Sequence, residues 1–235
     1  MVLDGKQRAG EKAVEYVQEG MYVGLGTGST VYWSILKLGE LVKNGLHVGC
    51  IATSKQTEAL ATKLGIPLVD ISVCTQLDVT IDGADEVDEC FNLIKGGGGA
   101  LFREKMVASI SRRLVVVVDA SKCVKTLGKF ALPVEVVQFG WNVTSQRVAE
   151  LGCRPRLRME NEAPYITDNG NYIVDCAFDA ITDPAALNRQ LHQITGVVET
   201  GLFVGMADAL VIGKQDTVIV KENNDEVQEY NDEIH

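Results

Sequence analysis

Histidine is scarce in this sequence. His47, His192 and His235 lie far apart along 235 residues, and no HExxH pair accompanies them. That removes the zinc-hydrolase arrangement in which two histidines share one helix face. The six cysteines (Cys50, Cys74, Cys90, Cys123, Cys153, Cys176) include no CxxC pair, so neither a zinc knuckle nor a disulfide framework is expected, and they read as buried reduced thiols. No stretch approaches the roughly 18 apolar residues of a membrane helix, and MVLDGKQRAGEK lacks an apolar signal core. The expected location is therefore cytoplasmic, with no membrane partner. Positive charge is also short: 22 Lys and Arg against 32 Asp and Glu give a net charge of −10. That balance argues against nucleic acid, whose phosphates demand clustered cations.

Apolar residues, by contrast, make up 46% of the chain, ample for a packed core. Over the first 130 residues short β-branched runs alternate with helical stretches: MYVGLG, VYWSILKLGELV, HVGCIAT, KQTEALATKLG, LDVTIDGAD, FREKMVASISRR and LVVVVDASK. That order is the mark of an α/β fold with a mostly parallel sheet and helices on both faces. The run Leu114 to Val118 is apolar without alternation, as a central strand covered on both faces should be. From about Leu132 the texture changes to RPRLRM, APYIT, NYIVDCAF and GVVETGLF, divided by TDNG turn chemistry, with helical stretches near 144 to 151 and 184 to 194. This predicts a small α+β unit over 131 to 206, with 1 to 130 and 207 to 235 forming the larger domain. Residues 221 to 235, KENNDEVQEYNDEIH, hold six acids against one lysine and no apolar period, so they read as a solvated end.

Ligands of open parallel sheets bind beyond the carboxyl ends of the strands, so polar motifs that follow successive strands tend to converge. Four such motifs stand out: GLGTGST (24 to 30), DGAD (82 to 85), KGGGG (95 to 99) and DASK (119 to 122). GLGTGST can be an anion cradle, with backbone N–H groups and the hydroxyls of Thr27, Ser29 and Thr30 opening a helix, or simply a capped helix start. It has no lysine before its Ser or Thr and a serine where a dinucleotide loop has its third glycine, so it is neither of those phosphate motifs. DGAD sets two carboxylates around Gly83 and Ala84; metal ligation, sugar hydroxyls or a capped turn would each use them.

The four glycines of IKGGGGALFREK cost about 1 kcal/mol each inside a helix, so they make sense only where bare backbone must come close to something. A helix starting near Ala100 sets Leu101, Glu104 and Ala108 on one face, leaving Glu104 in an apolar stripe; the alternative is a surface helix with REK turned outward. Desolvation would raise the pKa of such a carboxylate, and the helix N-terminus and Lys95 would lower it. Lys6, Lys95 and Lys122 matter together, because an acidic protein that binds a phosphorylated substrate needs a local positive site.

GTGST, DGADEVD, NLIKGGGGALFREK, VDASK, LGKFALPVEVV, TDNGN and GVVETGLF closely resemble type A ribose-5-phosphate isomerase, from about Lys6 to Gly213. The resemblance implies a doubly wound, Rossmann-like catalytic domain, a small ferredoxin-like second domain, and a homodimer or homotetramer acting on a sugar phosphate without metal or cofactor in the pentose phosphate pathway. It implies that Glu104 is the base moving a proton between C1 and C2, with Asp82, Asp85 and Lys95 beside it as catalytic groups. Thr27, Gly28, Ser29 and Thr30 would hold the phosphate with Lys6, and Asp82, Gly83, Ala84 and Asp85 would meet the sugar. Lys95 with Gly96, Gly97 and Gly98 would border the reacting end, and Lys122 would be a further substrate contact. Two departures fall in the small domain: Cys153 stands where a second glycine is common, and Thr195 replaces a frequent proline. A sugar-phosphate sensor would use the same residues without needing Glu104. An amino-sugar isomerase or lactonase is expected to use histidine chemistry that this chain does not offer.

Overall fold

A computed structural model describes residues 4–223 and 227–231. The chain starts with α1 (Gly5–Ala13), β1 (Tyr22–Leu25), α2 (Val31–Lys43), β2 (Gly49–Ala52), α3 (Lys55–Leu64) and β3 (Val79–Gly83). It continues through β4 (Glu86–Val87), β5 (Leu93–Ile94), α4 (Leu101–Ser109), β6 (Leu114–Asp119), β7 (Leu132–Val136), α5 (Trp141–Ala149) and β8 (Arg154–Leu157). Then come β9 (Met159–Glu160), β10 (Ala163–Pro164), β11 (Tyr172–Ala177), α6 (Pro184–His192), β12 (Val197–Thr200) and β13 (Leu202–Phe203). The last strands are β14 (Ala209–Gly213), β15 (Thr217–Glu222) and β16 (Val227–Asn231).

The chain divides into two units. The first comprises residues up to Ala84, Arg103–Cys123 and those from Met206 onward; the second comprises Asp85–Phe102 and Val124–Gly205. Residues 85 to 102 thus fall in the second unit although they precede the break expected near 130. Their strands β4 and β5 pair with each other, and β5 pairs with β13, in a separate three-stranded antiparallel sheet that fixes them there. FNLI is therefore not a strand of the parallel sheet. Of the four motifs, only GLGTGST, DGAD and DASK follow its strands, after β1, β3 and β6.

The first unit holds a seven-stranded sheet in the order β16-β15-β14-β6-β3-β1-β2. Pairings from β14 through β2 are parallel, and β15 and β16 are antiparallel. Val115 and Val117 of β6 join Val23, Ile81 and Val211 in a core closed by α1 and α2 residues such as Ala9, Ile35 and Leu38. Leu114, Val116 and Val118 are buried as well, so β6 is covered on both faces and its unbroken apolar run is explained. The stretch from Lys221 is not a solvated end throughout. Lys221 and Glu222 close β15, and 227 to 231 form the edge strand β16, held by backbone bonds to β15 that need no apolar face; residues 224–226 and 232–235 lie outside the described residues.

The second unit carries a four-stranded antiparallel sheet, β12-β7-β11-β8, in the β-α-β-β-α-β order of a ferredoxin-like domain. Val134 and Val136 of β7, Val174 and Cys176 of β11 and Leu191 of α6 fill its core. Cys153 is buried in the same cluster, which explains how a side chain fits where the resemblance favours glycine.

Of the thiols expected to be buried, Cys50, Cys74, Cys153 and Cys176 are, while Cys90 and Cys123 are exposed. Cys50 in β2 is fully buried, which pushes its pKa from about 9 up to about 12. The folded state therefore keeps this proton at pH values where the unfolded chain has lost it, so the contribution is intact below about 9 and is lost as pH rises toward 12. Cys50→Ala is expected to flatten the fall of unfolding free energy between about pH 10 and 11 by about 1.4 kcal/mol per pH unit, read from urea titrations. An unaltered slope counts against this assignment.

Candidate active site

In the first unit the loop after β1 is built on a carboxylate. Asp82 is fully buried in β3, and its Oδ1 accepts from the N–H of Thr27 at 3.1 Å and of Gly83 at 2.7 Å. Gly26 has to be glycine, because a Cβ there would lie 2.1 Å from that oxygen. The hydroxyl of Thr27 joins those of Thr53 (2.8 Å), Ser54 (2.8 Å) and Thr57 (3.1 Å). Ser54 caps α3 by accepting from the N–H of Thr57, and Thr57 donates to the carbonyl of Gly26. A row of hydroxyls thus ties the ends of β1 and β2 together.

Lys6 reaches this loop from the first turn of α1, where Asp4 caps the helix, and donates from Nζ to Ser29 Oγ at 3.1 Å. Gly28 has a φ of +135°, a region open to glycine, and Thr30 is buried at the start of α2. A cavity of about 410 Å³ opens beside the loop, lined by Thr27, Ser29, Tyr32, Gln56, Thr57 and Leu60. Thr53, Ser54, Gln56 and Thr57 fall outside the four motifs of the sequence analysis. Their signal was available, since ATSKQT follows β2 as the other motifs follow their strands.

Glu104 occupies the first turn of α4 and is 4% exposed. Val107, one turn on, packs with Ile51 and Leu77 on the sheet face opposite α1, and Ser111 beyond the helix meets the Thr80 hydroxyl at 2.6 Å. The helix therefore runs against β3. Three residues back from Val107 is about 4.5 Å along its axis, which carries Glu104 toward the carboxyl ends of the strands, the end where β3 presents Asp82. Glu104 is turned inward, as its place in the apolar stripe predicts, and the outward alternative for REK does not hold for it; Arg103 and Lys105 are half-buried at its sides. Lys122 is half-buried in the turn that ends β6, capped by Asp119 accepting from the N–H of Ser121.

In the second unit the glycine run forms a turn closed by the N–H of Gly99 donating to the carbonyl of Gly96. Gly96 and Gly99 take φ values of +102° and +81°. Bare backbone is needed here partly by the protein itself. Gly97 donates to Asp85 Oδ2 at 2.7 Å, and a Cβ on Gly97 or Gly99 would strike the Asp85 carboxylate or the Tyr165 hydroxyl. Lys95 is 2% exposed, its Nζ 5.5 Å from the centre of the Phe203 ring. Burial raises the pKa of Tyr165, with Asp168 adding to it, so its hydroxyl is a neutral donor at neutral pH. Ala84 and Gly83 are half-buried in the first unit. Among the described residues, no group of three His, Cys, Asp or Glu is arranged to hold a metal ion, and no helix is long and apolar enough to cross a membrane.

The family model described as Ribose 5-phosphate isomerase A (phosphoriboisomerase A) matches residues 49–217. The chain belongs to the ribose 5-phosphate isomerase A family. It is similar to Ribose-5-phosphate isomerase A 1 of Oceanobacillus iheyensis, 51% identical over 92% of this chain and 97% of that protein. Among solved structures, the family enzyme of Methanocaldococcus jannaschii superposes with a TM-score of 0.89 at 38% identity, covering 93% of this chain and 98% of that one. Another, a D-ribose-5-phosphate isomerase in complex with phospho-erythronic acid, gives a TM-score of 0.88 at 35% identity over 97% of this chain and 98% of that one. The α/β fold with its mostly parallel sheet is thus shared across the family.

Proposed function

We propose that the protein interconverts D-ribose 5-phosphate and D-ribulose 5-phosphate through an enediolate, with Glu104 carrying the proton between the two carbons. The observation that carries this reading is the burial of Glu104 in the first turn of α4, where a carboxylate serves proton transfer better than solubility. Once the furanose has opened, Glu104 takes the proton from C2 while the C1 carbonyl becomes an oxyanion. Glu104 then gives a proton to C1 while the C2 hydroxyl proton passes to the C1 oxygen, leaving a hydroxyl at C1 and the ketone at C2. Between the two transfers the carboxyl exchanges its proton with solvent. One carboxylate serves both transfers, so it ends the cycle as it began.

Asp82 and Asp85 assist ring opening and hold the sugar hydroxyls as acceptors. Lys95 and an amide of the Gly96 to Gly98 turn stabilise the enediolate oxygens. Thr27 to Thr30 with Lys6 hold the phosphate, remote from the reacting carbons, and Lys122 adds a substrate contact; binding energy spent there positions C1 and C2. The relative bound to phospho-erythronic acid supports this reading, since that ligand carries a phosphate at one end and a carboxylate at the other. Incubation with ribose 5-phosphate in deuterated water, followed by NMR, is expected to show ribulose 5-phosphate together with loss of the exchanging C–H signal. A protein that only senses sugar phosphates gives neither change.

A further inference from the structure

Arg158 lies just past β8, where the chain leaves the strand and turns through the β9–β10 hairpin, and its half-buried guanidinium is engaged on every edge. Nε donates to Asp175 Oδ2 at 2.9 Å and Nη2 to Asp175 Oδ1 at 2.5 Å, a bidentate pair. Nη1 donates to the carbonyl of Gly96 at 2.8 Å and to that of Gly97 at 3.2 Å. The hairpin brings Tyr165 back, its N–H donating to the Arg158 carbonyl at 2.9 Å and its ring centre 5.8 Å from the guanidinium carbon. The Tyr165 hydroxyl also touches the Gly98 carbonyl, at 3.5 Å.

In a trans peptide the N–H points opposite to the preceding carbonyl. Holding the Gly96 carbonyl therefore aims the Gly97 N–H, which is taken by Asp85. Holding the Gly97 carbonyl aims the Gly98 N–H away from the guanidinium, at a residue left exposed. Asp85 and the Gly99 N–H also hold the first of these planes, so Arg158 matters most for the Gly97–Gly98 plane, which glycines on both sides leave easy to turn. A positive charge on the carbonyl side also polarises each peptide and strengthens its N–H as a donor.

From this geometry we infer that Arg158 is a positioning residue for the isomerisation: fixed by Asp175, it orients and polarises the glycine turn so that the Gly98 N–H is set as an oxyanion donor. The inference rests on the enediolate reading above and adds the group that makes a flexible turn into a preorganised one. Preorganised donors act on charge that develops in the transition state, so the effect falls on kcat and on ligands charged at the reacting end. Lysine is a point charge and cannot span two carbonyls and a carboxylate at once.

The test compares Arg158→Lys, Arg158→Ala and Asp175→Asn with Arg154→Ala, which removes an exposed pair with Asp179 in the same unit. Arg158→Lys is expected to lower kcat about tenfold or more, short of the roughly 10² to 10³ lost with an oxyanion donor itself, while KM stays within about threefold. Inhibition by phospho-erythronic acid should weaken by a similar factor, and inhibition by inorganic phosphate should not move. Arg158→Ala is expected to lose at least as much activity as the lysine variant, and Asp175→Asn to lose less, because the guanidinium keeps its carbonyls. Arg154→Ala keeps its turnover. If Arg158→Ala does not fold, Arg158→Lys and Asp175→Asn decide. The inference is overturned by a folded Arg158→Lys with wild-type kcat, or by equal weakening of phosphate and phospho-erythronic acid. Full turnover in Arg158→Lys beside lost turnover in Glu104→Gln overturns this inference alone, whereas retained turnover in Glu104→Gln overturns the reading beneath it.

Discussion

Glu104→Gln is expected to lower kcat by about 10² to 10⁴, the range that a general base contributes, equivalent to about 3 to 5 kcal/mol of transition-state stabilisation. Glutamine keeps the shape of the side chain, and the neighbours that share its helix face, Leu101, Val107 and Ala108, stay buried as before. What it loses is the ability to take a proton at neutral pH. Because the phosphate grip is proposed to lie in the loop after β1, KM for ribose 5-phosphate should stay within about threefold of wild type. Steady-state kinetics reads the split, and deuterium incorporation reads the step itself: the variant should fail to exchange the substrate C–H as well as fail to form ketose. A kcat within about threefold of wild type would remove Glu104 from the role of base.

Much of this architecture is legible in the sequence because it is written in apolar periodicity. The unbroken run of β6 reports a strand covered on both faces; ALVIG and TVIVKE read as strands too, but periodicity does not tell that they join the large sheet as β14 and β15. Elements set by backbone pairing alone are not legible. β5 has two residues, too few to show a period, so FNLI reads like a parallel strand although it pairs antiparallel with β4 and β13. The strand β16 is fixed by its bonds to β15, which composition does not report, and the acids of the tail conceal it. The grip of Lys6 on Ser29 spans 23 residues and follows from no spacing rule. RPRLRM hides its own asymmetry in the same way. Arg154 and Arg156 are exposed in β8, and only Arg158, beyond the strand end at Leu157, turns onto the glycine turn.

The placement of Asp82 leads to the second large effect, at a residue with no side chain. Gly26→Ala is expected to cut kcat/KM by about 100-fold or more and to cost about 1 to 3 kcal/mol of stability. An added Cβ would sit 2.1 Å from Asp82 Oδ1, 2.4 Å from its Cγ and 2.6 Å from its Cα. Contacts that short require movement, and the chain there has little freedom: the Gly26 N–H donates to the carbonyl of Ile81 and its own carbonyl accepts from the Thr57 hydroxyl. The loop that carries Thr27 to Thr30 must then shift from the carboxylate that orders it, and misplacement by about 1 Å is enough for a 100-fold loss. The contact with the Asp82 Cα is what makes the prediction sharp. If the clash involved only the carboxylate, shortening that side chain would relieve it; because the backbone is also too close, Gly26→Ala combined with Asp82→Ala should not recover stability. Thermal unfolding of the single and double variants and steady-state kinetics of the single variant check both parts. A Gly26→Ala protein with unchanged melting temperature and kcat/KM would show that the two strand ends can separate without cost, and the proposed dependence of the phosphate loop on Asp82 would then be wrong.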